Sequence, residues 1–231
     1  MIPRPALMNP RIFHCLILLC AIVVLPAKAD GPPIDPLWEK ARAILALSKN
    51  LVAGEVTTYM EMFGSDGGSL GKMHLEEVIS GWKGGEPVRK IVSNDNPQYA
   101  DAARSRFKVR IDSHPDEALL DGKGAARVGN VILDGKSCAL FSISGKKGKL
   151  DFTSKVWIED DTGLPLKAVH QFSGAPMMKS MTYTILFGRT PTGHWVPISA
   201  AVDASLKFLF QSGQIVNKYQ YRAWMSRPSP F

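Results

Sequence analysis

Cys138 is the one thiol outside the first thirty residues, and its setting is Ser137-Cys-Ala-Leu-Phe141. A cysteine nucleophile needs a neighbouring base and a depressed pKa. No Cys-Gly or Cys-His phrase supplies either, so a buried, inert thiol is expected. His74, His114, His170 and His194 stand singly. None pairs at i+2 or i+4, the spacings that set two imidazoles on one face, and neither His-Glu-x-x-His nor Cys-x-x-Cys occurs. Gly-x-Ser-x-Gly is absent too, as is a Gly-rich phosphate loop between a strand and a helix. No catalytic residue, metal site or cofactor is therefore expected, and a hydrolase built on His170 or His194 ranks last among the readings. Asp160-Asp161 is an acid pair, but it stands in Asp-Asp-Thr-Gly, whose residue types make a solvated turn. The strongest polar pattern is Arg104, Arg106, Lys108 and Arg110, alternate residues of one stretch. Four cations on one strand face suit a phosphate, a sulfate or an anionic lipid headgroup. They equally suit a solvated outer face that discourages edge pairing.

The elements that must position these residues are mostly strands. Asp151–Phe172 reads as a hairpin. Val156 and Ile158 share one parity, Asp160 to Gly163 supply the turn, and Leu164, Leu166, Ala168 and Phe172 give the second arm its apolar parity. Around it runs a meander from Ala126 to Met225, punctuated by Gly- and Asp-containing turns. Val196, Ile198, Ala200, Val202, Ala204, Leu206, Phe208 and Phe210 hold one parity over fifteen residues, longer than a usual strand, so this strand must bend or be interrupted in a curved sheet. Upstream, Glu55–Phe63, Leu70–Trp82, Val88–Ser93 and Arg104–Ile111 read as strands, with short helices starting near Pro97 and Pro115. Asp35 is a natural N-cap with Pro36 at the first helical position, and Leu37, Ala41, Ile44, Leu45, Leu51 and Val52 keep a 3.6-residue period. That spacing predicts one amphipathic helix ending at Ala53, with Gly54 as its stop.

The first 29 residues are a separate matter. Arg4 and Arg11 precede the apolar run Cys15–Leu25, followed by Ala27-Lys28-Ala29. A positive start, a short apolar centre and a small-residue cleavage site describe a secretory signal peptide. The run falls short of the ~20 residues that span a bilayer. Removing Arg4, Arg11 and Lys28 lowers the formal charge of +7 by three, which weakens any case for nucleic acid. Cys15 and Cys20 leave as well, so no intramolecular disulfide can form and the fold must rest on its core. Residues 30–231 are long enough for a single domain with one good core.

The expected fold is mainly β (α+β): a curved antiparallel sheet, an unclosed half-barrel of about nine to eleven strands, with a lid helix in its mouth. Lys155-Val-Trp-Ile-Glu-Asp-Asp-Thr-Gly-Leu-Pro-Leu-Lys167 resembles a hairpin of the periplasmic lipoprotein-carrier superfamily, the LolA/LolB-like proteins. Gly193-His-Trp-Val-Pro197 is similar to a phrase in lipoprotein-sorting relatives of that group. The resemblance covers about Ala126–Trp224. It implies an unclosed barrel with a helical lid around a cavity for acyl chains, and no catalytic residues. The expectation is an exported, periplasmic protein that binds a lipid or the acyl chains of a lipoprotein, with an inner- or outer-membrane protein as a further partner. Leu45, Val156, Ile158, Ile185, Ile198, Val202, Leu206 and Phe208 are the candidate cavity wall. The alternative is a non-catalytic envelope interaction or sensor module on the same fold, with a filled interior.

Overall fold

The computed structural model describes residues 34–96, 125–147, 150–174, 178–208 and 211–229. The expected signal peptide, the expected short helices after Pro97 and Pro115, and the Arg104, Arg106, Lys108 and Arg110 stripe lie outside these residues. Residues Ile34–Phe231 form one compact unit.

Among the described residues one helix, α1 (Pro36–Ala46), precedes ten strands: β1 (Leu51–Phe63), β2 (Ser69–Lys83), β3 (Glu86–Asn94), β4 (Ala126–Leu133), β5 (Lys136–Lys147), β6 (Leu150–Glu159), β7 (Pro165–Ser173), β8 (Met178–Arg189), β9 (Trp195–Phe208) and β10 (Gln211–Ser226). All ten join one antiparallel sheet in the order β3-β2-β1-β10-β9-β8-β7-β6-β5-β4. The sheet is unclosed, a curved half-barrel with α1 as its lid. Short connections favour antiparallel neighbours, and the first and last strands, third and fourth in this order, pair from Leu51–Ser226 to Phe63–Gln214.

The start of α1 follows its sequence. Asp35 caps it by accepting a hydrogen bond from the Leu37 N–H at 2.8 Å, with Pro36 next and Glu39 in the first turn. Its end does not: α1 stops at Ala46, not Ala53. Leu51, Val52 and Ala53 open β1 instead and are buried on both faces. A strand buried on both faces shows a continuous apolar run, which local periodicity does not separate from a helix. Gly54 is not a helix stop. It sits inside β1 opposite Ala223, and a Cβ there would lie 2.5 Å from the Ala223 carbonyl oxygen. Ala223 has φ +51 in β10, so the two strands approach closely at this irregularity. Gly54→Ala is therefore expected to cost about 2 kcal/mol by overpacking against backbone, read as a lowered urea midpoint. An unchanged midpoint would show that the strands separate freely there.

The register lines side chains into rows across the inner face. One row runs Phe141, Val156, Ala168, Ile185, Ala200, Tyr219, Thr58, Leu75. The next runs Ile143, Ser154, His170, Tyr183, Val202, Asn217, Met60, Met73. α1 lies on the first row. Trp38, Ala41 and Leu45 pack with Ala139, Phe141, Ile143, Val156, Ile158, Ala168, Ile185 and Phe187 in the largest buried cluster, the Trp38 and Phe141 rings 5.3 Å apart. The small residues Ala139 and Ala168 let the helix approach. A second cluster, Met60, Met73, Leu75 and Ile215, lies on β1, β2 and β10 and draws in Met62, Ile91 and Leu206.

Candidate functional site

The two phrases that carried the family likeness meet in space. Gly163 takes φ +73 in the β6–β7 turn, and a Cβ on it would lie 2.6 Å from the Lys40 side chain of α1. The absent side chain lets the Lys40 stem cross the turn. Trp195 donates its indole N–H to the Pro165 carbonyl at 2.7 Å. The acids of the hairpin serve structure. Asp160 accepts from the Ser137 hydroxyl at 2.7 Å and pairs with Arg127 at 3.1 Å. Glu159 pairs with Lys136 at 2.7 Å and accepts a hydrogen bond from Thr162, and these partners hold its carboxyl below the ordinary range. The phrases thus form a clasp binding β4, β5, the β6–β7 turn, β9 and the helix.

The candidate wall residues divide. Leu45, Val156, Ile158 and Ile185 are buried in the packed cluster beneath α1. Val202 lies in the second row, 8% exposed, and Leu206 packs against the methionine cluster. Ile198 is a correction: it is 43% exposed. Pairing steps from Leu186–Ser199 to Phe187–Pro197, leaving Ile198 as the extra residue of a bulge, packed against Gly188. A bulge resets side-chain parity, which strict alternation in sequence conceals. Leu166 is skipped in the same way, so Pro165 takes the inner place opposite Ile158. The Phe208 side chain lies outside the described residues.

Sequence reasoning passed over the polar centre of the inner face. Ser154 and His170 are each 2% exposed and face one another on β6 and β7, the hydroxyl 2.6 Å from Nδ1. The imidazole stacks on Tyr183 with centroids 6.0 Å apart and lies against Phe172, and Nε2 is buried with no hydrogen-bond partner. Burial lowers the His170 pKa to about 4, so the ring is neutral at pH 7. A Ser–His hydrolase engages Nε2 and orients Nδ1 with a carboxylate; here the serine occupies Nδ1. The pair's signal was its parity, since Ser154 shares that of Val156 and His170 that of Ala168. Tyr219 and Tyr221 stack nearby at 6.5 Å, and burial raises the Tyr219 hydroxyl to about 12. Cys138 is fully buried, and burial raises its thiol, so it is a poor nucleophile. Among the described residues, no three His, Cys, Asp or Glu side chains gather as metal ligands.

Two of the clefts among the described residues combine apolar walls with a place at the edge of the packed interior. One, of about 400 Å³, lies at the β1–β2 and β9–β10 ends and is lined by Met62, Phe63, Leu70, Leu206, Gly213 and Ile215, among others. It opens off the methionine cluster, with which it shares Met62, Leu206 and Ile215. The other, of about 370 Å³, lies where the last turn of α1 meets the β8–β9 turn.

No family model matches the chain, and no curated protein matches it. Among solved structures it is similar to a DUF1329 family protein from Desulfovibrio piger, at 11% identity and a TM-score of 0.40, over 85% of this chain and 94% of that one. It is also similar to a chain in the MucA/MucB complex of Pseudomonas aeruginosa, at 9% identity and a TM-score of 0.26, over 84% of this chain and 100% of that one. At these scores neither likeness carries an argument about ligand or partner.

Proposed function

We propose that the protein is an exported, periplasmic binding protein that shelters an acyl chain of a lipid or lipoprotein on the inner face of its half-barrel, without catalysis. The observation that carries this reading is the continuity of the 400 Å³ cleft with the buried methionine cluster. An apolar-walled cleft of this size is at the small end of ligand pockets, which span about 300–1,000 Å³. Met60, Met62 and Met73 supply unbranched, adaptable side chains that reshape around a chain. Burial of a chain yields ~0.8 kcal/mol per CH₂, so several methylenes must enter before the cost of association is met. The signal-like N-terminus supports export, and the clasp motifs support the lipoprotein-carrier likeness.

The test is uptake of a fluorescent fatty acid, with mass spectrometry of the protein as purified from an envelope fraction. Leu70 is 65% exposed and lines the cleft, so Leu70→Asp will fold and is expected to weaken uptake at least tenfold. Absence of both uptake and co-purified acyl material would overturn the reading.

A specific observation favours the second reading, an envelope interaction or sensor module. Among the described residues β4 is an edge strand, and Val128 and Ile132 on it are 56% and 71% exposed. An unpaired apolar edge is a template for strand addition by an extended partner segment. On this reading a partner protein co-purifies with the wild type and is lost from Ile132→Lys, while fatty-acid uptake is absent from both.

A further inference from the structure

The second cleft has a different chemistry, and its use stands apart from the acyl-binding reading. Its apolar walls are Ile44 and Leu47 from α1 and its last turn, Leu164 from the β6–β7 turn, and Trp195. Leu47 is 79% exposed, an unusual setting for leucine beside a cleft. The polar members are Ser48, Arg189 and His194, and no carboxylate lines the cleft. Ser48 is 93% buried by its 7% exposure, yet its Oγ has no hydrogen-bond partner. A buried hydroxyl without a partner forfeits its hydration without recompense, a loss that a bound acceptor recovers. The Trp195 N–H is already committed to Pro165, so the indole offers the cleft only its apolar surface. Arg189 folds over the turn, its Nε–H donating to the Gly193 carbonyl at a long 3.4 Å, and among the described residues no carboxylate pairs with it.

From this juxtaposition of apolar walls, one guanidinium and an unpartnered buried hydroxyl, we infer that the cleft binds a small anionic amphiphile, a carboxylate or phosphate carrying a short alkyl chain. The head group takes two N–H donors of Arg189 in the planar geometry that suits carboxylate and phosphate alike. The chain lies along Leu47, Ile44 and Leu164. The volume admits one short chain and excludes a whole diacyl lipid. Because two walls belong to α1 and its last turn, the ligand also fastens the lid to the β8–β9 turn.

The experiment is calorimetric titration of the full chain with decanoate, decyl phosphate, inorganic phosphate and the cationic decyltrimethylammonium, each below its micellar concentration. In Leu70→Asp, whose first cleft is disabled, decanoate and decyl phosphate are each expected to bind one to one. Arg189→Gln and Leu47→Asp, both exposed positions, are each expected to weaken binding at least tenfold. Inorganic phosphate is expected to bind at least tenfold more weakly than decyl phosphate, because it leaves the apolar walls unused. Cation binding as tight as decanoate, equal binding of inorganic and decyl phosphate, or the absence of binding would each overturn the proposal. So would amphiphile binding that neither substitution weakens, since that ligand would occupy another part of the protein. Leu70→Asp, at the other cleft, is expected to leave this affinity unchanged and separates the two sites.

Discussion

Trp38→Ala is expected to cost about 3–5 kcal/mol of folding free energy, the range for truncating a large aromatic side chain in a core. Trp38 is 2% exposed and is the largest residue that α1 sends into the sheet. Its ring meets Phe141, itself fully buried, and the helix reaches the sheet through three buried side chains, Trp38, Ala41 and Leu45. An eleven-residue helix is marginal in isolation. Its order therefore comes from this contact, and removing the indole leaves a void and a loosened lid. For a domain of this length the loss corresponds to a melting temperature lower by on the order of 10 °C. Trp38→Phe keeps a ring against Phe141 and is expected to lose less than half as much. A thermal melt of Trp38→Ala within 2 °C of the wild type would show that α1 is held elsewhere.

Acid is expected to destabilise the protein by about 3 kcal/mol between pH 6.5 and pH 4 through His170 alone. In the unfolded chain this imidazole takes its proton near the ordinary 6.5, whereas in the folded protein burial delays protonation to about 4. Between those values the unfolded state binds the proton that the folded state refuses. Stability is therefore flat above the upper value, falls through the window at up to about 1.4 kcal/mol per pH unit, and levels off below the lower one. The groups against the ring are Ser154, Phe172 and Tyr183, none of which carries a charge in that window. Glu159, whose carboxyl is held low by Lys136 and Thr162, adds its own loss only below the ordinary carboxylate range. The double change His170→Phe with Ser154→Ala keeps the aromatic packing and removes both polar partners. Urea titrations at pH 7 and pH 4.5 are expected to show a large difference for the wild type and a small one for the double variant. Equal differences in the two proteins would assign the acid sensitivity to other groups.

Much of the architecture was legible where one face of a strand is buried and the other wet. The β5–β9 meander declared itself by alternation, and β6 ends at Glu159, directly before the expected turn from Asp160 to Gly163. The helix start was legible from Asp35 and Pro36. Its end was not, because Leu51, Val52 and Ala53 continue an apolar pattern that serves a strand covered on both sides. Ile198 and Leu166 were misplaced for another reason: a bulge depends on the facing strand, which local sequence does not contain. The methionine-walled cleft was hidden because β1 and β2 alternate weakly, with Met60, Met73 and Leu75 set among half-buried polar neighbours. His170 kept the parity of its strand and was legible as an inner residue. Its pairing with Ser154 became visible only with the register of β6 and β7.

The adjacency of β1 and β10 has a consequence for biogenesis. Leu51 pairs with Ser226, so the seam between β1 and β10 joins segments from nearly opposite ends of the folded unit. Such distant pairing makes assembly slow and late. A chain emerging from the ribosome would hold a three-stranded and a six-stranded fragment, each with a bare edge, until β10 had been synthesised. A chain whose last strand is cut away is therefore expected to expose both edges and to be prone to aggregation.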